Sequence, residues 1–489
     1  MREQRWMMRP AAAKVGAVCA LMAQMTGGMM AGQTVARAAT LNQQLSSATG
    51  YAAHEICTRT LLSGDDFTRV KKTLVAPAIE PLGLVWLVDH DAAAAQTTVK
   101  TWLPWSANPS VAIFRPGLGC TTVPQGVSVE SVRAQPLKAP QDAPLTPAQR
   151  DAAWPAGEGA ASDATLTAAQ REAIRLQGKN LFAEQSLLPG QRHNTIAYLV
   201  AVGGRLVHEA YAPGYDANQP QHAWSMTKSL TGLIAGRMVT EGRFALDDRP
   251  PLSGWQADGR AAITWRHLLQ MGSGLQWAEN FGTYGSTAQM MWMEPDQGAY
   301  AAAQPLATPP GSAFAYSTGN FSILPLAMRR VLGGEAQALY DHQHSQLFAP
   351  LGMRQATIEP DVSGTPSGGA YGVLRPRDWL RLGQLVLNRG QWNGRNLIDA
   401  SYIDFMLTPS PANAGYGGAV WLKGSLNMPA DLPADTAVFW GLNGQYLVLV
   451  PSRQLAVLRM GVSHLDKDFG DNATRQRVFE AVRAILRTM

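Results

Sequence analysis

Two pairs of short apolar runs stand at opposite ends of a long stretch of helical pattern, and this spacing constrains the fold more than any other feature. Ile196 to Val202 and Arg205 to Tyr211 flank Gly203-Gly204, a two-residue turn that folds them into a hairpin. Much later, Gln445 to Val450 and Leu455 to Gly461 flank the turn Pro451-Ser452-Arg453-Gln454. Between them, Trp265 to Met271, Phe321 to Leu332, Ala336 to Phe348 and Arg377 to Leu387 read as helices, and Thr474 to Arg487 closes the chain with another. Strands at both ends with helices between predict an antiparallel sheet flanked by helices, an α/β (α+β) fold over residues 165–489.

The upstream sequence divides into three further pieces. Residues 39–122 read as a small N-terminal α/β domain, with a helix over Tyr51 to Leu62 and strands over Leu82 to Val88, Thr97 to Leu103 and Ser110 to Arg115. Residues 123–164 are rich in proline and alanine and read as a linker or wrapping arm. Residues 1–38 have the form of a signal peptide: Arg2, Arg5, Arg9 and Lys14 precede an apolar run from Val15, and Ala36-Arg37-Ala38 supplies small residues for cleavage. A membrane anchor is the alternative, but Gln24, Thr26, Gly27 and Gly28 interrupt the run. Export to the periplasm or beyond leaves Cys57 and Cys120, either a disulfide or two buried thiols; an oxidising compartment favours the bridge, worth about 4 kcal/mol on a chain-entropy argument.

Several function classes are excluded early. A net charge of +5 is scattered and partly carried by the amino terminus, with no basic block interleaved with aromatics, so nucleic acid is not an expected partner. His342 and His344 lie two apart on a helical pattern and face different ways, so no metal is expected. No G-x-S-x-G surrounds any serine and no phosphate-loop lysine follows the glycine pairs, so neither an α/β-hydrolase elbow nor a nucleotide or other cofactor is expected.

Ser225-Met226-Thr227-Lys228 opens a helical pattern in which Met226, Leu230, Leu233, Ile234 and Met238 recur at helical spacing. Three-residue spacing places the hydroxyl and the amine on one face, at the positive end of a helix where an ammonium is disfavoured and developing negative charge is stabilised. Tyr316, in the turn Pro310 to Asn320, is the candidate second proton carrier, with a neighbouring cation expected to lower its pKa. The turn Gly441-Leu442-Asn443-Gly444 runs into the strand from Gln445, which makes the backbone N–H groups of Ser225 and Gln445 the expected oxyanion donors. Each element has a plainer reading as a surface pair, a packed tyrosine or an ordinary turn.

Taken together and in this order, SMTK, PGSAFAYSTGN and the late glycine turn resemble the serine β-lactamase and penicillin-binding-protein superfamily. Ile263 to Leu269, Ser273-Gly274-Leu275 and Leu347 to Met353 are similar to its class C branch, most of all to 6-aminohexanoate-dimer hydrolases and esterase-type members. The resemblance implies a helical subdomain beside the sheet with the site in the groove between them. It also implies that Ser225 is acylated, that Lys228 is its base and that Tyr316 passes the proton to the leaving group. Asn320, Asn443 and Gly444 are the expected substrate-binding residues, although Asn320 is displaced from the usual Y-x-N position. Where β-lactamases carry Lys-Thr-Gly, this chain has Leu442-Asn443-Gly444, so the cation that holds a penicillin carboxylate is missing. The expected function is an exported serine hydrolase acting on a small-molecule ester or amide through an acyl-enzyme, without a stable membrane span once the signal is removed. A β-lactamase or D-alanyl-D-alanine carboxypeptidase, and a non-catalytic ligand-binding module on the same fold, are the alternatives.

Overall fold

Thr195–Val202 (β5), Ala437–Gly441 (β13), Gln445–Val450 (β14) and Leu455–Gly461 (β15) are apolar at nearly every position, and such strands stay buried only when both faces of their sheet are covered. In the computed structural model both faces are. With Arg205–Tyr211 (β6) and Trp421–Leu422 (β12) these strands form one antiparallel sheet in the order β12-β13-β14-β15-β5-β6, so the two hairpins legible in the sequence meet through β15 and β5. The register Tyr446↔Arg459 and Arg459↔Tyr198 puts these three side chains on one face, and Leu447, Leu458 and Leu199 on the other. Helix Pro376–Leu387 lies against the leucine face so closely that a Cβ on Gly383 would stand 2.9 Å from Leu449. Helices Ala168–Phe182 and Ala473–Leu486 cover the other face, where Phe479 packs edge-on to Tyr446.

A second, smaller sheet supports the start of a buried helix. Gln221–His222 (β7), Thr357–Ile358 (β8) and Gly372–Leu374 (β9) pair in the order β7-β9-β8, and helix Met226–Thr240 begins four residues after β7 ends. The short ribbon Gln391–Trp392 (β10) and Arg395–Asn396 (β11) lies outside both sheets.

The amino-terminal piece is an antiparallel meander of Trp86–Asp91 (β1), Gln96–Thr101 (β2), Ser110–Arg115 (β3) and Gly119–Val123 (β4). Helix Leu41–Cys57 packs on it and continues in a wider turn to Leu62, so the helix starts ten residues before the position expected from its pattern. The first strand is also shifted, to Trp86–Asp91, where it pairs with Gln96–Thr101. The fourth strand, β4, is absent from the sequence reading because all five of its residues are buried and alternation, the usual strand signal, is lost. Tyr51, Ala52, Ile56 and Cys57 belong to the same core as Trp224, Trp292 and the large sheet, and Leu41–Met489 form one compact unit.

The structure describes residues 41–489 except 81–82, 84, 103–108, 185–187, 189–190, 281–284 and 465–472. The expected signal peptide 1–38, and Leu82 and Leu103 at the ends of two expected strands, lie outside the described residues. Among the described residues no helix is long and apolar enough to cross a membrane.

Candidate active site

The approach to Ser225 is strained. Trp224 has φ 51°, a left-handed conformation that a bulky residue adopts only when its surroundings impose it. Here they do: its buried ring stacks on Tyr51 at 5.8 Å and tilts against His222 at 4.6 Å. The bend sets Ser225 at the N-cap of helix Met226–Thr240. A capping serine normally bonds back to a helix N–H, yet Ser225 makes no such bond, and its Oγ lies 2.8 Å from Lys228 Nζ.

Lys228 is buried, with Nζ 3.0 Å from Thr318 Oγ1, 2.8 Å from the Gly369 carbonyl and 4.9 Å from the centre of the Tyr316 ring. Burial lowers its pKa to about 8, against the opposing pull of Glu279. The direction is that expected from sequence, with removal from water as its main cause. Tyr316 departs from expectation. Its pKa is raised, chiefly by burial and then by Glu279, while a hydrogen bond shared with Ser225 works the other way. The phenol therefore stays protonated at neutral pH and presents an O–H. Its ring stacks on Trp421 at 5.3 Å with Tyr416 edge-on, giving that side of the site an aromatic wall.

The late turn places its residues unequally. A Cβ on Gly441 would meet the Ala223 carbonyl at 2.2 Å and the Met226 amide at 3.1 Å, so Gly441 is the turn residue pressed against the serine's helix. The Asn443 carbonyl accepts from the Ser463 N–H at 2.9 Å. Gly444 accepts from Arg459 through its carbonyl at 2.6 Å. The Gln445 side chain is buried and engages both the N–H and the carbonyl of Gly461, while its backbone pairs with Gly441. Asn320 is also turned inward: its Oδ1 accepts from Ser273 Oγ at 2.8 Å. The structure therefore brings Ser225, Lys228 and Tyr316 into one cluster, sets Asn443, Gly444 and Gln445 in the adjoining turn with their side chains or carbonyls engaged elsewhere, and directs Asn320 away.

Two residues of this cluster escaped the sequence reading. Thr318 stands two positions after Tyr316, where the Y-x-N pattern looks for an asparagine, so that spacing could have found it. Glu279 has no motif of its own. It accepts from Thr318 Oγ1 at 2.5 Å, from the Thr318 amide at 2.8 Å, from Trp277 Nε1 at 2.7 Å and from Thr287 Oγ1 at 2.8 Å.

Cys57 and Cys120 are joined, tying the first helix to β4. No cluster of three or more His, Cys, Asp or Glu side chains among the described residues is arranged to hold a metal ion.

Comparison with known proteins places this geometry in context. The Beta-lactamase family matches residues 170–480. A 6-aminohexanoate-dimer hydrolase of Paenarthrobacter ureafaciens is 25% identical over 229 residues, which cover 44% of this chain and 57% of that protein; the chain thus matches less than two thirds of that relative's length. Among solved structures, a family VIII carboxylesterase superposes with a TM-score of 0.50 at 17% identity, over 68% of this chain and 99% of its own. EstCE1, a hydrolase with promiscuous acyltransferase activity, gives 0.50 at 17% over 64% and 98%. Likenesses at this identity carry the fold.

Proposed function

The chain belongs to the beta-lactamase family, and from that premise we propose that it is an exported serine hydrolase that cleaves a small ester or amide through an acyl-enzyme on Ser225. The observation that carries this reading is the 2.8 Å contact between Ser225 Oγ and a buried Lys228 whose pKa is lowered to about 8. A neutral amine at that distance takes the serine proton as the hydroxyl attacks the carbonyl. Tyr316, protonated and hydrogen-bonded to Ser225, delivers a proton to the departing alkoxide or amine. The Ser225 N–H, with an N–H from the turn Gly441–Gln445, receives the oxyanion; the sequence assigns that second donor to Gln445. Asn443 and Gly444 shape the turn, while Asn320 is bonded to Ser273 and takes no part in it. Water then repeats the steps with Lys228 and Tyr316 in exchanged roles.

The substrate class follows from charge and shape. Leu442 stands where a carboxylate-binding lysine would be, and Trp421 and Tyr416 line the Tyr316 side, which favours an uncharged ester or amide with an apolar group over a penicillin. The hydrolase, esterase and 6-aminohexanoate-dimer hydrolase names of the similar proteins support the same class. Export rests on the basic-then-apolar amino terminus and on the joined Cys57 and Cys120. The test is turnover of a p-nitrophenyl ester by purified protein, with nitrocefin in parallel. Ser225→Ala should abolish ester turnover in a folded protein, and retained turnover overturns the mechanism.

A further inference from the structure

We propose that Glu279 is a positioning residue that, through the Thr318 hydroxyl, turns the Lys228 lone pair toward the Ser225 proton; this rests on the reading of Ser225 as nucleophile. A neutral amine has two N–H bonds and one lone pair, and Lys228 Nζ has three polar neighbours: the Gly369 carbonyl at 2.8 Å, Thr318 Oγ1 at 3.0 Å and Ser225 Oγ at 2.8 Å. The carbonyl only accepts, so it takes one N–H. Thr318 has a single hydroxyl proton, and Glu279 Oε1, an acceptor 2.5 Å away, claims it. Thr318 Oγ1 must then accept the second N–H. The lone pair is left for Ser225, which is the arrangement a base needs before proton transfer.

Without Glu279 the Thr318 hydroxyl is free to rotate and donate to Nζ, and the lone pair would be spent on the wrong neighbour. The carboxylate is itself held in place by Trp277 Nε1, Thr287 Oγ1 and the Thr318 amide. When Lys228 takes the serine proton, no bond to Glu279 forms or breaks; the new N–H points back at Ser225 Oγ and the nearby carboxylate balances the ammonium charge. The ionisable groups bearing on Lys228 are Glu279, which favours its charged form, and Tyr316, which lies beneath it as a neutral ring.

The test is the pH profile of kcat/KM for a p-nitrophenyl ester in the full chain, comparing wild type with Glu279→Gln, Thr318→Val and Thr318→Ser. Removing the carboxylate takes away the group that raises the lysine pKa, so the acidic limb, near pH 8 in wild type, should move down by about one unit in Glu279→Gln. The plateau should fall at least about tenfold because the lone pair is misdirected and the ammonium is left unbalanced. Thr318→Val should lose a comparable share of the plateau, and Thr318→Ser, which keeps the hydroxyl, should restore it. An unmoved limb in Glu279→Gln with the change confined to KM, or Thr318→Val as active as Thr318→Ser, overturns the proposal. Ser225→Ala is run alongside: its loss of turnover establishes the parent reading separately, so a failure of the Glu279 variants then counts against Glu279 alone.

Discussion

Two buried polar clusters flank the same short stretch of chain, residues 221–228, and they are wired differently. On the amino-terminal side Glu55 faces His222 Nδ1 at 2.5 Å and Arg59 Nε at 3.0 Å, while Glu359 faces His54 Nε2 at 2.9 Å and accepts from the Cys120 N–H at 2.6 Å and Thr58 Oγ1 at 2.8 Å. On the other side a single amine, Lys228, sits with its carboxylate held off behind a hydroxyl. Burial alone would raise the Glu55 pKa, yet the facing His222 and Arg59 hold it at about 2. Burial lowers that of Lys228 to about 8, and Glu279 at one remove only partly opposes it. Direct pairing locks a charge into the scaffold, whereas pairing through a hydroxyl leaves a group that changes state near working pH.

The contrast can be broken most decisively at Lys228. Lys228→Met should reduce kcat/KM for a p-nitrophenyl ester on the order of 10³-fold or more, about 4 kcal/mol of activation free energy. Thermal unfolding of the same variant at pH 7 should show no loss of stability. The folded pKa of Lys228 lies below that of an unfolded lysine, so between about pH 8 and the ordinary lysine range the unfolded chain binds more protons, and wild type should gain stability relative to Lys228→Met as pH rises through that window. A Lys228→Met protein that unfolds at neutral pH would mean the amine belongs to the scaffold after all.

Glu55→Ala should do the opposite. Leaving His222 and Arg59 buried without their carboxylate should cost about 3–5 kcal/mol in urea unfolding, with the acidic limb of kcat/KM unmoved. A shifted limb at unchanged stability would erase the distinction between the two clusters. Cys57→Ala, which frees the first helix from β4, should cost about 2–4 kcal/mol by the same measurement. Tyr51→Phe is the mildest probe: it removes one buried hydroxyl and keeps the ring stacked on Trp224, and a stability change of about 1 kcal/mol with little effect on turnover is expected.

How much of this was legible in sequence differs between the two clusters. Ser225, Lys228 and Tyr316 lie in short local patterns, and spacing on a helix or turn suffices to propose them. The two hairpins were legible because apolar runs and turn residues are local signals too. Glu279 was invisible because it reaches Thr318 across 39 residues with nothing in its neighbourhood to mark it. The Glu55, Arg59 and His222 cluster was hidden for the same reason, its bonds spanning 167 positions from Glu55 to His222. Asn320 was read as facing the site, but the helix that begins at Thr318 carries it inward to Ser273. A neighbouring cation is expected to lower the Tyr316 pKa; desolvation and then the Glu279 carboxylate raise it instead.

The direct test of the central claim is to catch the covalent state. Wild-type protein quenched in acid during turnover of a slow ester should yield a peptide whose Ser225 carries the acyl mass, and Ser225→Ala should yield none. Turnover by wild type with no adduct on Ser225, or with the adduct on another residue, would contradict the account.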